Sequence, residues 1–126
     1  MMDNMTGGSS VRLAGTLSGA QEVPAATTSG TGSVTASFDK STNKLTYEVT
    51  YSGLTGPATA GHFHGPAAAG QNAGVVVPFA SATSPIKGEA TLTAAQAADL
   101  LAGRWYANIH TARYPGGEIR GQLAVR

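Results

Sequence analysis

The chain predicts an all-β fold: an antiparallel Greek-key β-sandwich with one short helix. Three observations lead there. Turn residues recur about every ten positions. Several segments between them alternate apolar and polar side chains with the period of two that a half-buried strand requires. Only one stretch carries helix punctuation at both ends.

Taken in order, residues 1–10 (Met1-Met2-Asp3-Asn4-Met5-Thr6-Gly7-Gly8-Ser9-Ser10) lack the apolar core of a signal peptide and read as a flexible lead-in. The domain proper is 11–126. Val11 to Leu17 forms a first strand, followed by a loop through Glu22-Val23-Pro24. Ser33 to Asp39 places Val34, Ala36 and Phe38 on one face. Asp39-Lys40-Ser41-Thr42-Asn43 turns the chain, and Lys44 to Ser52 returns with Leu45, Tyr47, Val49 and Tyr51 on one face against Thr46, Glu48 and Thr50.

After a loop over Gly53–Pro57 comes a strand containing Ala60-Gly61-His62-Phe63-His64-Gly65, then a glycine- and alanine-rich loop through Asn72. Val75 to Phe79 is apolar throughout, as for a strand buried on both faces. Ile86 to Leu92 alternates again. The helix follows, between about Thr93 and Ala102: Thr93 is its N-cap, Gln96 stands at the capping-box position and Gly103 closes it. Trp105 to His110 and Glu118 to Val125 are the last two strands, joined by a loop containing Pro115-Gly116-Gly117.

At 126 residues the chain is one domain. Only 12% of residues are charged and the formal net charge is +1, with no basic run. That composition excludes an electrostatic surface for nucleic acid or an anionic membrane. No apolar stretch approaches the roughly 20 residues of a spanning helix. The absence of cysteine rules out disulfides and thiolate-ligated metals.

All three histidines fall in two strand segments. His62 and His64 flank Phe63, so they share the face opposite that core residue. In Trp105 to His110, residues Trp105, Ala107 and Ile109 form the apolar face, and Tyr106, Asn108 and His110 project the other way. The three imidazoles therefore lie on the non-core side of their strands. Side chains two apart in a strand stand roughly 6.6 Å apart at the backbone, near enough to lean onto one ion with bonds of about 2.0 Å. His62, His64 and His110 are accordingly the expected metal ligands. Three nitrogens suit copper, or zinc, and leave a fourth position open. Ligating imidazoles need their second nitrogen fixed. Glu22, Glu118 and Asn108 are candidates for that, while Glu118 and Arg120 equally fit a same-face ion pair on an exposed sheet. Tyr106 shares the face of His110 and is expected to line the site. No nucleophile–histidine–acid arrangement and no phosphate-cradling loop is present. A non-catalytic binding module, or a copper store or carrier, fits the same residues.

Several segments together resemble the CHRD domain, a β-sandwich module found in chordin and in many bacterial secreted proteins. They are Leu17-Ser18-Gly19-Ala20-Gln21-Glu22-Val23-Pro24, Gly61-His62-Phe63-His64-Gly65-Pro66, Tyr106-Ala107-Asn108-Ile109-His110-Thr111 and Pro115-Gly116-Gly117-Glu118-Ile119-Arg120-Gly121-Gln122-Leu123. The likeness runs from about Val11 to the C-terminus and implies a secreted or periplasmic location.

A weaker, local likeness is to copper/zinc superoxide dismutases. In that family a His-x-His strand and a histidine on a later strand hold copper on the outer face of a Greek-key barrel, and an arginine guides the anion. It implies copper at His62, His64 and His110, superoxide as substrate, and Arg120 or Arg113 as the catalytic, anion-guiding residue. The bridging histidine, the zinc ligands and the disulfide of that family have no counterpart here, so any site is mononuclear.

Overall fold

A computed structural model describes residues 9–126. Its strands are β1 (Ser10–Ser18), β2 (Thr31–Asp39), β3 (Lys44–Ser52), β4 (Ala58–His64), β5 (Val75–Pro78), β6 (Ile86–Thr91), β7 (Tyr106–Thr111), β8 (Ile119–Gln122) and β9 (Ala124–Val125). One α-helix, α1 (Ala94–Leu101), lies between β6 and β7, and a single 3-10 turn, Gly19–Gln21, follows β1. Of the expected lead-in, residues 1–8 lie outside the described residues, and Ser10 already opens β1.

All pairings are antiparallel, in the order β5-β4-β7-β8-β1-β2-β3-β6, with β9 beside β1. The β1–β8 seam is narrow: a single residue pair, Ser18 with Arg120, joins them. The sheet thus folds into two halves, β1-β2-β3-β6 and β5-β4-β7-β8, whose apolar faces meet. The chain crosses between halves at β3–β4, β5–β6 and β6–β7, as a Greek key requires.

The expected alternation is what builds the core. Val34, Phe38, Leu45, Tyr47 and Val49 from one half meet Phe63, Ala107, Ile109 and Ile119 from the other in one buried cluster. Tyr47 packs edge-on against Phe63, centroids 5.0 Å apart. Gly61 stands on this inner face because a Cβ there would strike the Phe79 ring. The helix seals one end with Ala97 and Leu100. Its capping box is complete: Gln96 N–H donates to Thr93 Oγ1 at 3.1 Å and Thr93 N–H donates to Gln96 Oε1 at 2.9 Å, an arrangement of about 1 kcal/mol at the N-cap alone.

Two expectations are corrected. The segment Glu118 to Val125 is two strands, Ile119–Gln122 paired with β7 and Ala124–Val125 paired with β1, with Leu123 between them donating its N–H to Trp105 O at 3.0 Å. The run beginning at Val75 is not buried on both faces. β5 is the end strand of its half and Val75 is 53% exposed, while Val77 points into the core.

Candidate metal centre

Strands β4 and β7 pair so that His62 stands opposite Asn108, His64 opposite Tyr106 and Ala60 opposite His110. These six residues form a two-by-three grid on the outer face, with Arg120 beside Asn108 on β8. The grid does not lie open to solvent. His64, Tyr106, Asn108 and Arg120 are all buried. The connection from β4 to β5, residues 65–74, covers them: Tyr106 Oη donates to Ala73 O at 3.1 Å and accepts from Ala73 N–H at 3.0 Å. Gln122 Nε2 donates to Ala67 O at 2.7 Å. The outer face is therefore a second buried layer, polar where the inner one is apolar. Its signal in the sequence was the large Tyr106 among polar neighbours.

Within it the three imidazoles converge, each offering a ring nitrogen within 4.8 Å of the others. Two bonds of 2.0–2.1 Å span about 4 Å at most, so nitrogens at that 4.8 Å limit must close by at least about 0.6 Å to hold one ion. Two of the remaining ring nitrogens are fixed by backbone carbonyls. His64 Nδ1 faces Ala73 O at 2.9 Å, and His110 Nδ1 faces Pro115 O at 2.9 Å. A carbonyl only accepts, so each of these nitrogens carries the hydrogen and each Nε2 presents its lone pair. His62 Nδ1 lies 3.1 Å from His110 Nε2. The donor set left for an ion is His62 Nδ1, His64 Nε2 and His110 Nε2, a neutral three-nitrogen site that fits copper or zinc.

Burial and charge disfavour the protonated forms of His62 and His64. Burial pushes His62 below the ordinary histidine range, with His110 and then His64 adding repulsion between the charged forms. Burial also dominates at His64, which lies below that range although the facing Ala73 O and Asn108 Oδ1 would favour the charged form.

The carboxylates do not take the expected place beside the ligands. Glu118, fully buried, is used elsewhere: Thr28 Oγ1, Thr55 N–H, Thr55 Oγ1 and Thr111 Oγ1 all donate to it at 2.6 to 2.9 Å. Burial raises its pKa, but those four donors together outweigh burial and hold it below the carboxylate range. It makes no ion pair with Arg120. Among the described residues the one ion pair is Lys44–Glu89, at 3.2 Å. Glu22 is buried beside Asn108 and Gly117, and its Oε2 has no hydrogen-bond partner. Burial raises Glu22 to about 7, against the opposing pull of Arg120 and of the Asn108 amide. Gly117, at φ +128°, leaves room for this carboxyl where any Cβ would collide with it.

The arginines differ in kind. Arg120 is 2% exposed, with its guanidinium 3.5 Å from the Tyr106 ring centroid. It donates to Asn72 Oδ1 at 2.9 Å and to Gln71 O. Arg113 is exposed, on the same loop as Pro115.

No curated protein and no solved structure matches the chain. The family model described as the CHRD domain matches residues 13–123, taking in both histidine strands and nearly every described element. With that match, the chain belongs to the CHRD domain family.

Proposed function

We propose that this domain binds one copper ion through His62, His64 and His110 and disproportionates superoxide, acting outside the cytoplasm in a secreted or periplasmic setting. The observation that carries the reading is the convergence of three ring nitrogens within 4.8 Å, two of the rings locked by carbonyls. Copper would supply a one-electron couple, so that two superoxide anions and two protons give dioxygen and hydrogen peroxide. The chain's own part is to hold the imidazoles, to keep Nδ1 of His64 and of His110 hydrogen-bonded, and to shield one side of the site behind residues 65–74. An anion entering such a site is drawn by exposed positive charge. Arg113 serves that role better than Arg120, whose donors are engaged inside the protein.

Copper titration of metal-free protein followed by a superoxide assay tests this. One equivalent of tightly bound copper and turnover above a chelator-treated free-copper control are expected. Tight binding without turnover leaves a copper store or carrier. Absence of stoichiometric binding leaves a non-catalytic binding module and overturns the metal reading.

A further inference from the structure

Asn108 occupies the centre of the histidine grid: directly across from His62, two residues from His110 on the same strand, and diagonal to His64. Its Oδ1 lies 2.8 Å from His64 Nε2. Counting hydrogens exposes a conflict. An imidazole that presents Nε2 to an ion has one N–H, and Ala73 O takes it at Nδ1. Two lone pairs, on Nε2 and on Oδ1, are then left facing each other at hydrogen-bond distance in a buried site. Turning the amide over does not help while Glu22 is ionised. It would point Nδ2 at Nε2 but set Oδ1 toward a carboxylate that has no hydrogen to give and already has an unpartnered oxygen. A cation held between Nε2 and Oδ1 removes the conflict.

The distances suit one. Atoms 2.8 Å apart, each bonded to an ion at about 2.0–2.1 Å, subtend about 85°. The 3.1 Å separation of His62 Nδ1 and His110 Nε2 subtends about 100°. Angles near 90° in a mixed nitrogen and oxygen set are those of tetragonal Cu(II). The amide NH2 then faces Glu22, which fixes which end of Asn108 meets the ion.

We propose that Asn108 Oδ1 is a fourth protein ligand, used by Cu(II) and not by Cu(I), with Glu22 orienting the amide. This rests on the three-histidine copper reading above. The selectivity follows from donor type: an amide oxygen is a hard ligand that favours the divalent ion, while three imidazoles alone satisfy Cu(I).

The experiment titrates the parent, Asn108→Ala, Asn108→Asp and His110→Ala separately with Cu(II) and with Cu(I) against competing chelators. Asn108→Ala is expected to lose about tenfold or more in Cu(II) affinity and less than about threefold in Cu(I) affinity. Its Cu(II) form should relax solvent water protons faster, because water takes the vacated position. Asn108→Asp returns an oxygen to the same place, so it should bind Cu(II) at least as tightly as the parent. His110→Ala should lose both ions, which tests the histidine site independently of Asn108. Equal losses of both ions in Asn108→Ala, unchanged Cu(II) affinity there, or weakened Cu(II) binding in Asn108→Asp would each overturn the fourth-ligand assignment. Failure of the parent to bind copper at all would instead overturn the reading beneath it.

Discussion

The rings of His64 and Tyr106, paired across β4 and β7, lie 3° from parallel with centroids 4.7 Å apart. Arg120, from the strand on the other side of β7, sets its guanidinium on the same tyrosine. A buried cation, a phenol and an imidazole thus form one stack that holds His64 at an angle, and the peptide of residues 65–74 is tied to it at Tyr106 and Arg120.

Arg120 is therefore expected to act through position. Arg120→Met should weaken copper binding about tenfold and lower the melting temperature, because Asn72 and Gln71 lose their donor and Tyr106 its cation. Arg113→Ala should leave affinity and melting temperature unchanged and lower the rate severalfold at low salt, with a flatter ionic-strength dependence. Isothermal titration and stopped-flow rates at several salt concentrations separate the two.

Copper affinity should fall with acidification later than free imidazole would suggest. His62 and His64 both lie below 6.5, so proton competition at them begins below that pH. Competition titrations from pH 7.5 to 4.5 check this. A decline already complete at pH 6.5 would contradict it.

Glu22 gives a signed stability effect. Its folded pKa, about 7, exceeds the ordinary glutamate value of 4.5. The group's contribution is therefore full below pH 4.5 and is lost as pH rises toward 7. Depressed histidines act oppositely in metal-free protein: their contribution is present above 6.5 and lost as pH falls. The difference between parent and Glu22→Gln isolates the first effect. Parent stability relative to the variant should drop across pH 4.5–7 by ~1–2 kcal/mol once solvent screening is allowed for, read by denaturant unfolding of metal-free samples.

Glu118→Ala should cost about 2–3 kcal/mol, since it strands the hydroxyls of buried Thr111 and half-buried Thr28 and frees both donors of Thr55. Proteolysis should then cut first near Thr28 and Thr55. No hydrogen bond joins Glu118 to His62, His64 or His110, so residual folded protein should bind copper as the parent does.

The strands were legible because Phe38, Leu45, Tyr47 and Val49 keep the period of two, and the helix because Thr93 and Gln96 sit three apart. The histidine cluster was legible for the same reason: phase alone puts His62, His64 and His110 on one side. The burial of that side was not. It depends on residues 65–74 folding back onto Tyr106 and Arg120, contacts between residues 33 to 49 positions apart that no local pattern records. Hence Arg120 reads from sequence as an exposed cation, and Asn108 as a weak accessory.

His62 and His110 are 48 positions apart, and β5, β6 and α1 are all threaded between them. An ion that needs both cannot nucleate this chain. During synthesis the first two imidazoles emerge long before the third, and the pair alone offers no closed cage. Metal acquisition therefore belongs to the finished tertiary structure, and the polypeptide must reach that structure unaided before anything is loaded into it.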